Sequence, residues 1–358
     1  MREKRWYESP LADMGVTISA RVRLARNFDN YPFPVKLEEN LARQMINETA
    51  RAAMSETVYS PNSANHNKGS DYGFRFFDIT DNPAESLLPL MERHVLSSHM
   101  VTKKGVKGII LNPGEDLSVL LNEEDHARIQ AIFPGDNIDG AYAAADALES
   151  LIEANGQNKY AFDQDYGFLT SCPTNVGTAM RASFMLHLPA LEMTGAIDKV
   201  KSALAKFGMT MRGIHGEGSE SMGSIYQLSN QITLGKPEGE IILSLKAAAL
   251  KVISHENSTW DKLLADHEIT IKDKLYRSYG ILITCRSLGR KEGMSLLSDM
   301  RLGYNSGIYD MPRPSKTIYA LMAEIQPGTL GAMAGKPLTQ EEQDVYRAEY
   351  IRGELDKK

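Results

Sequence analysis

Arg21 and Arg23 stand two residues apart in a segment, Val16 to Leu24, that alternates apolar and polar side chains. Arg128 follows a run of acids, Glu123, Glu124 and Asp125. Arg181 lies downstream of Cys172-Pro173-Thr174-Asn175-Val176-Gly177, and Arg212 rides a short apolar run that leads to Gly216 and Glu217. Guanidinium groups present paired, planar donors that match phosphate oxygens. Several of them from separate segments suit a polyphosphate. Carboxylates from the same segments suit a cationic nucleophile held beside it. A thiol at the entrance of a helix faces the positive end of that helix, which favours the thiolate. The sequence after Pro173 reads as such a helix, with Arg181 one to two turns further on. Each feature alone has an ordinary explanation. A lone cysteine is more often packing, and paired arginines or a run of acids is more often a solvated face or strand end. Their concentration in a few segments favours a site.

What is missing narrows the chemistry. No GxxxxGK[ST] loop occurs, and no protein-kinase glycine loop followed by HRD and DFG motifs. A nucleotide would therefore be held by side-chain arginines rather than by a backbone cradle. No dense cluster of metal-ligand residues is present, so Mg²⁺ would be held mainly by phosphates and water. The formal net charge is −6, which argues against nucleic-acid binding through bulk positive charge. With 42% hydrophobic and 24% charged residues the chain reads as globular with a full core. Two cysteines make no disulfide scaffold. The first residues lack the apolar core of a signal peptide, and no run reaches membrane-spanning length. A cytoplasmic protein without membrane or direct nucleic-acid contact is expected.

The elements that would position these groups form an α+β part with a mainly antiparallel sheet flanked by helices, then an all-α part. Residues 1–15 read as a short mobile arm in which Arg2, Lys4, Arg5, Trp6 and Tyr7 could grip a partner. Residues 16–237 form the sheet-bearing unit. Val16 to Leu24 is its half-buried strand, with Arg21 and Arg23 on the polar face. Helices are expected at 37–54, 82–101, 139–155 and 197–207, with a polar loop at 60–71. A hairpin is expected at 106–122 around Asn112-Pro113-Gly114-Glu115, and strands at 209–215 and 224–234. The acids after the hairpin would place Arg128 one helical turn beyond Glu124. Residues 216–223, rich in Gly and Ser, would serve as a lid. From 238 to 358 the pattern is helical, with helices at 238–266, 270–284, 290–302, 314–326 and 339–357. The last opens with Thr339 and Glu342, a capping box.

Ser19-Ala20-Arg21-Val22-Arg23, Asn122-Glu123-Glu124-Asp125-His126, Cys172 to Gly177 and Arg212-Gly213-Ile214-His215-Gly216-Glu217 occur in this order. Together they resemble the phosphagen (guanidino) kinase family. Within it the chain is most similar to the bacterial branch that phosphorylates arginine in proteins. Leu24-Ala25-Arg26-Asn27, Ser229 to Gly235, Tyr276 to Gly280 and Leu297 to Gly303 extend the likeness. The resemblance implies transfer of the ATP γ-phosphate to protein arginine, with Mg²⁺, in stress response and protein quality control. It implies Glu124 and Glu217 as orienting and proton-accepting carboxylates, with Glu124 the stronger candidate for base, and Cys172 as a thiolate that tunes the guanidinium. ATP would be held by Ser19, Ala20, Arg21, Val22, Arg23, Arg128, Arg181, Ala182, Ser183, Phe184, Met185, Arg212, Gly213, Ile214, His215 and Gly216, with His99 near the adenine. It further implies substrates such as a heat-shock repressor and clients of a AAA+ protease, a zinc-containing activator protein, and a homodimer. Small-molecule members of the family carry a helical domain before the sheet. Here the arginine strand begins at Val16, which suits an acceptor still attached to a protein.

Two departures stand out. Ala20 replaces a usual Ser. Gln343 replaces the first arginine of a phosphoarginine pocket whose other members would be Asp344 and Arg347. Feedback by phosphoarginine through Gln343, Asp344 and Arg347 would then be weakened. A kinase for free guanidino compounds and a silent phosphoarginine-binding adaptor remain as alternatives.

Overall fold

The computed structural model describes residues 4–55, 73–215 and 221–357, and of His215 the backbone alone. Arg2, the polar loop at 60–71, Gly216 and Glu217 lie outside the described residues, as does most of the expected lid.

The strands are β1 (Thr17–Arg26), β2 (Arg75–Asp78), β3 (Gly108–Leu111), β4 (Leu117–Leu121), β5 (Ala127–Pro134), β6 (Phe162–Asp163), β7 (Gly167–Phe168), β8 (Met180–His187), β9 (Met209–His215) and β10 (Ser221–Asn230). The helices are α1 (Glu39–Met54), α2 (Ala84–Glu92), α3 (Ser98–Thr102), α4 (Ile138–Asn155), α5 (Pro189–Met193), α6 (Ile197–Ala205), α7 (Glu238–Thr284), α8 (Arg290–Asn305), α9 (Ile318–Glu324), α10 (Pro327–Ala334) and α11 (Gln340–Leu355). Eight strands form one sheet in the order β2-β3-β4-β5-β1-β8-β10-β9, and every adjacent pair is antiparallel. β6 and β7 make a separate hairpin.

Strand alternation gives this sheet two unlike faces. Ala20, Val22 and Leu24 of β1, Ala182, Phe184 and Leu186 of β8, and Ile129, Ala131 and Phe133 of β5 point into one core. Helices α1, α4 and α6 and the first half of α7 cover it, through residues such as Met45, Ala145, Val200 and Leu245. The other face is split. At one end Ile132, Met185 and Ile225 join a second core with Trp6, Tyr7, Met294 and Tyr319. Ile18 belongs to this second core although it has the parity of Ala20. A bulge between Thr17 and Ser19 reverses it. The other end of the face carries the arginines.

Several local expectations are corrected. The segment from Met180 is a strand, not a helix. Its Arg181, Ser183 and Met185 alternate with core residues Met180, Ala182, Phe184 and Leu186, a period of two that only a strand can sort between two environments. Only the single turn Pro173–Asn175 follows Cys172, so no helix end of useful length faces the thiol. Arg128 likewise sits on β5 rather than on a helix. Residues 82–101 break into α2 and α3, because His94 takes a positive φ of 64°. Helix α7 runs through the expected gap, interrupted at His267 (φ −138°, ψ 35°). α10 was not foreseen. From Trp6 onward the N-terminal segment packs against the fold rather than forming a mobile arm. Trp6 and Tyr7 are buried, and Asp13 accepts from the backbone N–H of Ile318 (3.0 Å) and Tyr319 (3.2 Å) at the start of α9. Two large aromatics bring enough apolar surface to anchor a short chain end. The capping box forms as expected: the Glu342 carboxylate accepts from Thr339 N (2.8 Å) and Thr339 Oγ1 accepts from Glu342 N (3.3 Å).

Candidate active site

In the sheet register Arg23 lies opposite Arg181, Ala25 opposite Arg128, Arg21 opposite Ser183, and Ser183 opposite Ser229. Gln227 faces Met185 on one side and Arg212 on the other. Directly opposed residues share a face. Arg21, Arg23, Arg128, Arg181 and Arg212 therefore rise from one face of four strands. Arg21, Arg23, Arg128 and Arg181 are half-buried and Arg212 is exposed. Among the described residues no carboxylate pairs with Arg21, Arg23, Arg181 or Arg212. The Nε atoms of Arg23 and Arg181 are buried with no hydrogen-bond partner among the described residues. Arg181 donates from Nη2 to Ser229 Oγ (3.3 Å). Desolvation, then Arg181 and Arg128, pull the Arg21 guanidinium down to about 10. Desolvation followed by Arg21, Arg128 and Arg181 holds Arg23 well below its usual value. Arg181 is lowered by desolvation, Arg212 and Arg128. Uncompensated like charges packed this closely are costly, and an anion between them would relieve the cost.

The acidic run divides its labour. Glu123 is buried and fixes Arg128 (2.7 Å) and the Ser97 hydroxyl, while its Oε1 lies 3.9 Å from His99 Nδ1. Glu124 is partly exposed, and its Oε2 lies 3.5 Å from Arg128 Nη2. Asp125 is buried and accepts from Asn27 Nδ2 (2.7 Å) and from the backbone N–H of Ser171 (2.7 Å). This bond ties the turn that carries Glu124 to the loop that carries Cys172. His126 is structural: Nδ1 accepts from Phe28 N (3.0 Å), Nε2 lies 2.9 Å from Pro32 O, and burial lowers its pKa. The far side of the cysteine loop is pinned to Thr233, whose carbonyl accepts from Thr178 N (2.9 Å) and whose hydroxyl donates to Val176 O (2.9 Å). Gly177 makes that approach possible. Its φ is 114°, and a Cβ there would meet Thr233 O at 2.2 Å.

These constraints enclose a cavity of about 250 Å³. Arg23, Glu124, Arg128, Cys172 and Arg181 line it together, with Thr174 and Asn175. The Cys172 Sγ lies 3.0 Å from Thr174 Oγ1. Of the other expected nucleotide contacts, Ser19, Ser183 and Met185 lie on the arginine face but are buried, and Met185 Sδ accepts from the Tyr319 hydroxyl (3.1 Å). The side chains of Ala20, Val22, Ala182 and Phe184 point into the opposite core and cannot contact a ligand on the arginine face. Gly213 faces that core through its partner Tyr226, while Ile214 packs against the second core. His99 is 58% exposed. Residues whose supporting roles were missed, Asn27, Asp125 and Thr233, had a signal in the contiguous motifs around them.

Gln343, Asp344 and Arg347 are tied into the fold, while the open cavity beside the terminal helix is lined by other residues, among them Lys336, Thr339, Glu342, Val345 and Tyr346. Arg347 is wholly buried, donating to Ile325 O (3.0 Å), Leu288 O (2.7 Å) and Asp344 Oδ1 (2.6 Å). Gln343 donates to Leu338 O (3.1 Å). Arg347 acts here as a strut between α11 and the segments before α8 and α10, not as a free cation.

Residues 56–259 match the family model described as the ATP:guanido phosphotransferase C-terminal catalytic domain. Residues 268–358 match the protein-arginine kinase McsB C-terminal domain. A protein-arginine kinase of Clostridium acetobutylicum is 38% identical over 352 residues, 98% of this chain and 99% of that one. One from Geobacillus kaustophilus is 39% identical over 351 residues, 98% of this chain and 93% of that one. The chain belongs to the protein-arginine kinase family. Among solved structures, the duplicated taurocyamine kinase of Schistosoma mansoni with bound transition-state analogue components is similar with a TM-score of 0.54. Its identity is 27%, over 67% of this chain and 33% of that duplicated one. A lombricine kinase shares the fold, with a TM-score of 0.56 and 21% identity over 73% of each chain. The cationic sheet face thus meets the carboxylate of Glu124 and the thiol of Cys172 in one cavity. Among the described residues no group of His, Cys, Asp and Glu is placed to hold a metal ion, and no helix is long and apolar enough to cross a membrane.

Proposed function

We propose that the cavity bounded by Arg23, Glu124, Arg128, Cys172 and Arg181 is where the γ-phosphate of ATP meets the side chain of an arginine in a protein substrate. The observation that carries the reading is this lining itself. It joins under-neutralised guanidinium groups to a carboxylate and a thiol from separate segments. The unpartnered Nε atoms and half-buried guanidinium groups fit a polyphosphate. Arg21, Arg23, Arg128, Arg181 and Arg212 would hold the phosphates, and Mg²⁺ bound to those phosphates would neutralise further charge.

A guanidinium keeps its proton in neutral water, its pKa lying above about 12. Glu124 orients the planar fork and accepts the proton as the N–P bond forms. The P–O bond to ADP breaks in the same displacement, so the products are ADP and phosphoarginine. The sheet arginines hold the transferring group in line, and positioning with electrostatics supplies most of the acceleration in such transfers. Cys172 lies beside the acceptor as a charge-tuning group and forms no covalent intermediate.

Phosphorus-31 NMR after incubation with Mg-ATP and an arginine-rich protein tests this. An acid-labile phosphoramidate signal on the protein is expected, reduced by about 10²–10⁴ in Glu124→Gln while ATP binding persists. A signal on free arginine alone would move the acceptor assignment to small guanidines. Full activity in Glu124→Gln would remove Glu124 from the proton transfer.

A further inference from the structure

The groups that line the cavity are held in two different ways. Arg23, Arg128 and Arg181 stand on β1, β5 and β8, so the register of the sheet fixes their spacing. Glu124 and Cys172 stand on the bend 122–126 and the loop 169–176, which lie outside every strand. Asn27, the residue after β1, belongs to neither segment and bonds to both. Its Nδ2 donates to Asp125 Oδ1 (2.7 Å) and to Leu169 O (3.1 Å), and its Oδ1 accepts from the backbone N–H of His126 (2.9 Å). Asp125 Oδ1 accepts in turn from the backbone N–H of Ser171 (2.7 Å), the residue before Cys172. Asn27 is 1% exposed, and its own carbonyl accepts from Ala161 N (2.7 Å), which gives the amide a fixed base. These partners admit one orientation of the amide. Turned over, it would set its NH₂ against the His126 N–H and its oxygen against a carboxylate and a carbonyl. Aspartate, of the same size, would bring a carboxylate against Asp125. The end of β1, the bend and the loop are thus braced together by a single asparagine.

We propose that Asn27 is a positioning residue for the acceptor: it holds the Glu124 carboxylate and the Cys172 thiol at a set distance from each other and from the sheet arginines, and so aims the guanidinium at the phosphate. The inference rests on the proposed function. A guanidinium is a rigid planar fork with donors on its edges. The groups that receive it must therefore keep one separation, and that separation must be referred to the strands that hold the phosphates. Without the amide, Asp125 Oδ1 keeps only Ser171 N, and Leu169 O loses its side-chain donor. Bend and loop are then free to shift together away from the end of β1. The arginines keep their strand register in either case. Asn27 itself is buried and acts through its neighbours, without touching the substrate. Its loss should slow the transfer and leave the hold on the nucleotide.

Asn27→Ala in the full chain tests this, with Mg-ATP and an arginine-rich protein as acceptor. The variant is expected to lose about a hundred-fold in kcat, the cost of misplacing a reacting group by about 1 Å. The nucleotide KM and the affinity for ADP should stay unchanged. A double-mutant cycle separates positioning from a merely structural role. In the Glu124→Gln background Asn27→Ala should cost little more, because a residue that acts through Glu124 then has nothing left to position. An undiminished loss in that background, a loss carried by the nucleotide KM, or no loss at all would overturn the role. If Asn27→Ala melts early, Asn27→Ser, which keeps one hydroxyl donor for Asp125, decides in its place by the same cycle with a smaller loss in kcat. If the wild type phosphorylates no acceptor, it is the kinase reading that fails. Amide hydrogen exchange then judges the brace. Faster exchange in 122–126 and 169–176, with β1 and β8 unchanged, supports it, and unchanged exchange in those two segments rejects it.

Discussion

The protein buries arginine in two ways. Arg26 is sealed among acceptors, and so is Arg347 apart from its Nη2, which has no partner among the described residues. Arg26 uses Glu149 bidentately, with Ala25 O (2.8 Å) and Thr178 O (3.2 Å). Arg347 uses two backbone carbonyls and Asp344. Arg21, Arg23 and Arg181 are less buried but have no carboxylate partner among the described residues, and each has other arginines for neighbours. The first pattern is a strut, and the second is a cluster of like charges that an anion would relieve. The difference lies in the partners rather than in the residue or its depth. A buried ion pair is costly to break from one side, whereas a cluster of like charges is relieved when one member goes.

That contrast can be broken most directly by deletion. Arg26→Ala leaves Glu149 uncompensated and should cost about 3–5 kcal/mol in urea unfolding. Arg181→Ala should leave stability unchanged or raise it while abolishing turnover. A large loss of stability in Arg181→Ala would mean that the sheet arginines are struts too. Glu256 sharpens the comparison as a buried charge partnered by dipoles. It accepts from Ala190 N (2.7 Å) and Leu191 N (2.9 Å), and burial pushes it up to about 7 from 4.5. Below pH 4.5 the folded and unfolded states both hold the proton and the group has no effect. As pH rises from 4.5 to 7 the unfolded chain releases its proton first, so stability falls, by about 3 kcal/mol in all. Glu256→Gln should flatten this part of the profile. His187, buried against Ser298 (2.7 Å) and held well below its usual pKa by burial, works in the opposite direction. Its contribution is present above about pH 6.5 and is lost as pH falls, because only the unfolded chain then takes up the proton.

An anion should act on one class only. Tripolyphosphate at about a hundred times its dissociation constant should stabilise the wild type by about 2.7 kcal/mol. The gain should shrink in Arg181→Ala and persist in any folded variant of Arg347. An equal gain in all three would place the anion elsewhere than the sheet face.

The same contrast explains what could be read from the sequence. The alternation of Val16 to Leu24 was enough to place Arg21 and Arg23 on one strand face, because period two is a local property. The hairpin at 106–122 and the cap at Thr339 were legible for the same reason. Arg181 was legible as a site residue but not as a strand residue. The Cys-Pro turn before it suggested a helix, and only the neighbouring strands β1 and β10 show which face each residue of Met180–His187 takes. The side chains of Ala20, Val22, Ala182 and Phe184 face the core although their motifs carry site residues, since a strand turns every second residue inward. The arm that carries Trp6 and Tyr7 reads as mobile because much of its cover lies some 300 residues away, as the Thr317 Oγ1 to Tyr7 O bond shows. Arg347 failed for the same cause. Its partners Leu288 and Ile325 come from other segments, and nothing in Gln343 to Ala348 signals that they enclose it.

The smallest expected effect separates charge tuning from bond making. Cys172 stands in the cavity with Thr174 Oγ1 as its polar neighbour at 3.0 Å. A serine would keep that contact and nearly the volume. If the sulfur only favours the guanidinium beside it, Cys172→Ser loses one polar interaction at the cavity wall, worth about ten-fold in kcat when one such contact is about 1.4 kcal/mol. Nucleotide affinity should not change, since the phosphates face the arginines. A loss as deep as that of Glu124→Gln would instead give the sulfur a part in the displacement, and phosphorylated Cys172 would then be visible by mass spectrometry under neutral conditions. No loss at all would leave the thiol as wall packing, and the cation half of the cavity would rest on Glu124 and on whatever the segment beyond His215 brings to it.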